Sequence, residues 1–579
     1  MLQQLLHVIV ISFICIIWGL PYYFFLKRRD KEEYWTGKQT GCFIFLFFCG
    51  LLSIGFISSC LVLLIPLRFN YLLIATSLLI FVLFLFFKKR ITSLFEDLKI
   101  KKGFTLIEYI FSASCILLFI VLGSSTSVNI DTQIYHLQII RWTNEYGLVP
   151  GLANLYPRLG LGSSWFNLIS IFHIPLFTHQ NFTFLNNTVT IWFLLWLMNK
   201  WKYYYRADSN AAFSRTFCLF YFFLLLYFLF DWQLFRDTAN STSYDFIVTA
   251  LMIAVISFIA EELFFDKKIK FSFVLIIISF MIISFKLSGL FILAPVFFYL
   301  LNFKQAGVWV KSFIGGGIIF FPILVRNYIS SGYPLYPSLL SVGHPEWQVP
   351  PEMAARFQEY IFYINKFYNH QVSFIFSYEK TMFNWIPFWM GGIILKHKII
   401  LLLSCLSLIL FFYNPVSDIK SIKIKMFIIS LWLMTAGWFF TAPDPRFALG
   451  FLLFLSLLPL SFLITKFLNI TKIFNPVFII ATLFVLIYGV KKLATLVKAQ
   501  GYLYHVSNTD IPGVEKIVLN QVSLNVPLKM NNNWDNRCFF TPLPCLCEKN
   551  PYLKTRTDHI KNGFKMDKPD SAFIKSFNY

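Results

Sequence analysis

The sequence predicts an all-α membrane protein with many transmembrane helices, and three observations support this prediction. Apolar residues make up 57% of the 579 residues and charged residues only 13%, and the mean hydropathy is +0.66. A soluble domain carries about 25% charged residues. Apolar runs long enough to cross a bilayer recur along the chain without alternating, which indicates helices and excludes a barrel.

The net charge of +22 is explained by membrane topology. Lys and Arg cluster in the short loops between apolar runs, which is the pattern of cytoplasmic loops. No basic stripe interleaved with aromatic residues lies outside these runs. We therefore expect the lipid bilayer among the partners of this chain and no nucleic acid.

The charge pattern divides the chain into four regions and about 14 spans. The regions are N-terminal transmembrane helices (1–123), a first large outer loop (124–164), a transmembrane bundle (165–490) with outer loops near 231–245, 326–380 and 441–447, and a small extracytoplasmic tail (491–579).

The first outer loop is longer and more polar than a plain connector between membrane helices. Asp131 lies just past the predicted membrane exit, and Thr132–Tyr146 is predicted to form a short helix that ends at Gly147. An apolar face including Leu137 and Ile140 would let this helix lie along the membrane surface. Asp131 has two compatible roles at this stage, as a helix cap or as a general base.

Further ionisable residues are predicted to collect on the same outer face. Each also has a structural interpretation: Arg158 and Arg326 as snorkelling anchors, Lys286 as an ordinary helix-end lysine, Asp444 and Arg446 as an ion pair in a turn, and His136 as a partner on an interfacial helix face. The loop acids Asp237 and Asp245 fit a solvated loop as well as a site, and Tyr333 and Glu346 complete the set of candidates.

Acids, fixed cations and aromatic residues at one membrane face suit a substrate that presents a sugar and a phosphate at that depth. A carboxylate can take a proton from an incoming hydroxyl, which contributes about 10²–10⁴-fold to a rate. Arg and Lys can hold a phosphate as it leaves and gains charge.

Most of the ten cysteines lie inside apolar runs and are expected to be small buried hydrophobes. Cys538, Cys545 and Cys547 lie instead in the polar tail. We expect a disulfide between Cys538 and either Cys545 or Cys547, and no histidine spacing favours zinc.

Two resemblances add to these inferences. Asp131 with the following YHL (Tyr135–Leu137), and the late turn APDPRF, resemble the GT-C superfamily of integral-membrane glycosyltransferases. The segments DTQIYHLQIIRW, GLVPGLANLYPRLG, GSSWF, KLSGL, RNYISSGYPLYP, APDPRFALG and NRCFFTPLPC resemble more closely a family of bacterial membrane proteins without assigned function.

The GT-C resemblance implies a GT-C-like helix bundle in a bacterial inner membrane, with its active face outside the cytoplasm. It implies transfer of a sugar from a polyprenyl-phosphate donor to a glycan, lipid or protein acceptor, as in cell-envelope polysaccharide biosynthesis. Asp131 would be the base and Lys286, Arg326 and Arg446 would bind the donor phosphate. Asp237, Asp245 and Glu346 would be candidates for a second acid, and a divalent cation stays open as a cofactor.

Two other classes of function, and a non-catalytic scaffold, compete with this one. A polymerase or ligase of surface polysaccharide would use a pyrophosphate carrier and depend on Arg more than on Asp131. A transporter or flippase would place ionisable residues at mid-membrane and show repeated halves, and the sequence has few acids inside its spans and no clear repeat.

Overall fold

Helices dominate the structure because a continuous apolar run in a bilayer must satisfy its backbone hydrogen bonds within itself. The computed structural model describes residues 1–29, 40–97, 105–125, 127, 129–175, 182–206, 212–231, 240–265, 272–301, 306–367, 372–412, 418–467, 471–500, 513–528, 538–547 and 549–576.

In chain order the α-helices are α1 (Leu2–Arg29), α2 (Thr40–Leu61), α3 (Phe69–Asp97), α4 (Leu106–Gly123), α5 (Leu137–Glu145), α6 (Ser164–Ile171), α7 (Phe184–Arg206), α8 (Ala212–Phe230), α9 (Asp245–Phe265), α10 (Ser272–Phe285), α11 (Leu293–Leu300), α12 (Ala306–Ser331), α13 (Pro351–Ile364), α14 (Val372–Ser377), α15 (Ile386–Gly392), α16 (Leu395–Ser404), α17 (Ser407–Phe412), α18 (Asp418–Thr441), α19 (Pro445–Phe467), α20 (Thr471–Gln500) and α21 (Ser571–Ser576). Short 3₁₀ turns cover Leu152–Asn154, Pro157–Gly160, Leu287–Ile292 and Ile560–Asn562, and the strands are β1 (Val514–Leu519), β2 (Val522–Pro527), β3 (Leu553–Thr555) and β4 (Phe564–Met566).

The prediction of a helical, multi-pass membrane protein is confirmed. In the described part of the chain, 10 helices are long and apolar enough to cross a membrane, or 11 if the bent pair Ile386–Gly392 and Leu395–Ile409 is one broken span. The predicted count of about 14 included two further crossings on either side of Lys286. There the apolar helices Val274–Phe285 and Leu287–Leu300 are shorter than the roughly 20 residues that a full crossing needs.

The helix predicted after Asp131 is present, but it begins differently. Thr132–His136 forms a single π-helical turn, and α5 follows it directly. Asp131 makes no side-chain capping bond; instead the Asn129 side-chain oxygen accepts from the Thr132 backbone N–H at 2.8 Å. The capping role considered for Asp131 is therefore wrong, and its carboxylate is available for other partners.

The first outer loop is packed inside the protein and does not lie on lipid. The apolar side chains of Leu137, Ile139 and Ile140 are buried, and α5 packs against α6. Backbone bonds join this loop to distant segments, because the Leu67 N–H donates to the Thr143 carbonyl and the Gly151 N–H donates to the Ile329 carbonyl. These bonds hold the loop in a fixed position against the rest of the protein.

The described residues of the tail form two small antiparallel hairpins, β1–β2 and β3–β4. The β1–β2 turn has Asn520 and Gln521 at positive φ, as tight hairpin turns require. The second hairpin joins the first outer loop where the Phe564 N–H donates to the Pro150 carbonyl at 3.0 Å. The second hairpin therefore lies at the same end of the bundle as that loop.

Helices α1 and α2 pack so closely that two glycines face the backbone of the neighbouring helix. A Cβ added at Gly50 would overlap the Cys15 carbonyl oxygen, and one added at Gly19 would overlap the Leu46 carbonyl oxygen. Small residues at such contacts allow membrane helices to approach, which strengthens van der Waals packing between them.

We expect Gly50→Ala to destabilise the protein, because the new methyl group meets backbone that cannot rotate away. Overpacking of this kind costs about 1–3 kcal/mol, occasionally more. The matched control is Gly317→Ala, also within a helix, where a Cβ would meet nothing within 4 Å. Thermal unfolding in detergent should show a lower midpoint for Gly50→Ala only, and equal midpoints would refute the close α1–α2 contact.

Candidate functional site

Asp131 forms an ion pair at one end of the helix bundle. The Arg158 guanidinium donates to the Asp131 carboxylate at 3.0 Å and to the Tyr360 hydroxyl at 3.0 Å. The same guanidinium lies over the rings of Tyr135 and Tyr360. These aromatic contacts fix Arg158 independently of its acid partner.

A second ion pair joins the start of α9 to the break after α10. Lys286 follows the last residue of α10, and its ammonium donates to the Asp245 carboxylate at 2.6 Å. The ammonium also lies 3.0 Å from the ring centre of Phe447 and 5.2 Å from that of Tyr244. Both charged side chains are largely buried, so each depends on the other for compensation.

A third ion pair occupies the turn between α18 and α19. The Arg446 guanidinium donates two bonds to one Asp444 carboxylate oxygen, at 3.0 and 2.8 Å, and the Arg446 backbone N–H donates to the other at 2.9 Å. Asp444 is almost fully buried, whereas the side chain of Arg446 is 38% exposed.

These three pairs form one electrostatic unit, which we call the ion-pair cluster (Asp131, Arg158, Asp245, Lys286, Asp444 and Arg446). Arg446 interacts electrostatically with Asp245 and Asp131 as well as with Asp444. Lys286 interacts likewise with Arg446 and Asp444. The cluster therefore joins the first outer loop to a turn some 300 residues later in the chain.

His136 lies among these charges and is buried. Its ring packs against Tyr135, Phe166 and Tyr244, and neither ring nitrogen has a hydrogen-bond partner among the described residues. Burial lowers the pKa of His136 to about 4, against the opposing influence of Asp131 and Asp245. The imidazole is thus neutral at pH 7 and can accept or donate one hydrogen bond.

Other predicted site residues bond to partners outside the cluster. Arg326 is buried in α12, donates to the Ser163 carbonyl at 3.0 Å, and forms no salt bridge with any described carboxylate. Tyr333 is buried and donates to the Val349 carbonyl. Glu346 pairs with Lys565 and Arg556 of the tail, so it joins two distant segments of the chain. Asp237 lies outside the described residues.

Sequence reasoning missed the aromatic residues that hold the cations. Tyr360 is 202 positions from Arg158, and no local pattern connects the two. Tyr244 directly precedes Asp245 and Phe447 directly follows Arg446. Tyr244 and Phe447 could therefore have been predicted as cation contacts, because each is an aromatic residue next to a charged residue that was itself predicted to be in the site.

The described residues contain no group of three or more His, Cys, Asp or Glu side chains that could hold a metal ion. Each of the three cluster acids bonds instead to a Lys or Arg. This donor set does not suit a divalent cation, which takes several oxygen ligands at once.

Comparison with known proteins gives a family but no activity. A family model described as a domain of unknown function (DUF8201) matches residues 1–453, a range that includes the whole ion-pair cluster. No curated protein and no solved structure matches the chain.

We expect His136 to make the protein less stable in acid. Its pKa of about 4 lies below the value of about 6.5 of an unfolded chain, so the unfolded state binds the proton first. The contribution of neutral His136 to the free energy of unfolding is complete above pH 6.5. It is lost as the pH falls to 4, which lowers that free energy by on the order of 3 kcal/mol.

His136→Phe should weaken this pH dependence, because it keeps an aromatic ring and removes the titrating group. Unfolding midpoints of both proteins in detergent between pH 7.5 and 4 measure the effect. The wild-type midpoint should fall more steeply below pH 6.5, and parallel curves would contradict the buried neutral imidazole.

Proposed function

This chain belongs to the DUF8201 family, a domain of unknown function, and we propose from its site that it is a membrane glycosyltransferase. It moves a sugar from a polyprenyl-phosphate donor to the hydroxyl of a glycan, lipid or protein acceptor. The lipid phosphate is the leaving group, so the sugar inverts at its anomeric carbon.

The observation that supports this proposal most is the accessibility of one acid and one cation in an otherwise buried cluster. The side chains of Asp131 and Arg446 are 36% and 38% exposed. Asp444, Asp245 and Lys286 are largely buried around them. A reachable base and a reachable phosphate ligand within one electrostatic unit are what transfer from a lipid phosphate to a hydroxyl requires.

The charges of the cluster suit this reaction. With His136 neutral, three carboxylates balance three cations. In the reaction the acceptor oxygen bonds to the anomeric carbon, the bond from that carbon to the phosphate oxygen breaks, and the acceptor proton moves to Asp131. The donor phosphodiester, with charge −1, leaves as a monoester with charge −2, while Asp131 becomes neutral.

Protonation of Asp131 therefore releases Arg158 from its acid partner at the moment when the phosphate gains charge. Tyr360 and Tyr135 still hold the guanidinium in place. Cations that need no reorganisation during the reaction stabilise developing charge most effectively. Arg446 and Lys286 add positive potential beside this position.

The proposal includes a topology. About 14 spans form a GT-C-like bundle in a bacterial inner membrane, and the cluster and the tail lie on the extracytoplasmic side. The hydrogen bond between the first outer loop and the tail, and the electrostatic interaction of Asp131 with Arg446, support placing these parts on one side together.

We expect Asp131→Asn to lower the rate of sugar transfer by about 10²–10⁴-fold, because the variant retains the shape of the residue and cannot take the acceptor proton. Purified protein in lipid vesicles would be supplied with radiolabelled hexosyl and pentosyl phosphates of a short isoprenoid alcohol. Release of the isoprenoid phosphate measures the reaction.

The matched control is Glu359→Gln. Glu359 lies on α13, is 39% exposed and pairs with Lys380, so it resembles Asp131 in exposure and pairing but lies outside the cluster. Its activity should equal that of the wild type. A polysaccharide polymerase or ligase would give a different result. With a pyrophosphate donor, Asp131→Asn would then be fully active and Arg446→Gln would be inactive.

A further inference from the structure

Three cysteines of the tail lie close together although only two of them are bonded. Cys538 and Cys545 form a disulfide. The sulfur of Cys547 lies 3.5 Å from the sulfur of Cys538, and Cys547 is not part of a disulfide. A thiol at this distance from a disulfide sulfur is within reach of it for thiol–disulfide exchange.

The burial of the three sulfurs differs in a way that favours exchange within the chain. Cys538 and Cys545 are buried, whereas Cys547 is only partly buried. Exchange requires access of the thiolate to a disulfide sulfur. A small thiol in solution lacks this access to Cys538, and Cys547 has it.

We propose that Cys547 is an exchange thiol for the Cys538–Cys545 disulfide. The Cys547 thiol first loses its proton to solvent, and the thiolate then bonds to the sulfur of Cys538. The bond between Cys538 and Cys545 breaks, and Cys545 leaves as a thiolate that takes a proton from solvent. One disulfide and one thiol are present before and after, so no oxidant or reductant is needed.

Cys538 is the sulfur shared by both pairings, and its surroundings hold it against the first outer loop. The Phe539 N–H donates to the Gln133 carbonyl, and the Phe539 carbonyl accepts from the Gln138 side chain at 3.0 Å. Arg141 donates to the Thr541 carbonyl at 2.7 Å. These contacts fix the attacked sulfur, so the bond can alternate between Cys545 and Cys547 without release of the tail. The proposal is independent of the proposed sugar transfer.

The test locates the free thiol before and after incubation. Purified full-length protein in detergent is kept without reductant at pH about 8.5, and samples are quenched in acid over time. Free thiols are blocked with N-ethylmaleimide, the disulfide is reduced, and the new thiols are labelled with iodoacetamide. Trypsin releases one peptide from Cys538 to Lys549 with all three cysteines, and fragmentation of this peptide locates each label.

The maleimide label should lie on Cys547 at first and appear on Cys545 with time, because the free thiol moves between these positions. Cys547→Ala is the control and should show no maleimide label in this peptide at any time. Cys545→Ala should form the Cys538–Cys547 disulfide under air. A label that stays on Cys547 throughout, or free Cys538 and Cys547 in Cys545→Ala, would overturn the proposal.

Discussion

Charges withdrawn from water at one end of the bundle must be compensated by other charges, and this constraint organises the site. A buried ion pair adds little net stability, because desolvation offsets the attraction, yet removing one partner costs about 3–5 kcal/mol. Three electrostatically coupled pairs, in which only Asp131 and Arg446 are partly exposed, are therefore a poor means of stabilising a helix bundle. In the proposed reaction, their arrangement supplies a fixed electrostatic field, in which each cation is already oriented before the substrate arrives.

Aromatic residues make this arrangement possible at a membrane face. Lys286 contacts the faces of Phe447 and Tyr244, and Arg158 contacts those of Tyr135 and Tyr360. A ring face attracts a cation more strongly when both are desolvated. The aromatic residues thus add attraction for each cation beyond that of its acid partner.

The sequence was sufficient for the class of fold and for the idea that Asp131, Lys286 and Arg446 meet. Charge counting in loops places all three on one side, because helix ends alternate between the two faces. The sequence could not show which acid pairs with which cation. Asp131 binds Arg158 and Lys286 binds Asp245, and both choices depend on packing between segments that no local period describes.

The structure also differs from the sequence-based prediction at Asp131 and at Arg326. Asn129 and not Asp131 caps the segment that follows, because the helical residues already begin at Ile130, so that Asp131 lies inside the first turn. The guanidinium of Arg326 donates to the Ser163 carbonyl and the Thr143 hydroxyl. The sequence predicted an outer loop from this residue onward, but the helix continues to Ser331, so Arg326 lies within the helix and not at its end.

The unequal exposure of the cluster bears on the proposed reaction, in which a lipid donor and a polar acceptor meet at the cluster. Both carboxylate oxygens of Asp444 accept hydrogen bonds from Arg446. The partly exposed guanidinium is therefore oriented by a partner that is itself buried. Asp131 is oriented in the same way by Arg158, itself held by Tyr360. In both pairs the buried member fixes the accessible one. A site built in this way keeps its geometry while its exposed edge is open to substrates, and the entropy of ordering two long side chains is lost during folding and not during binding.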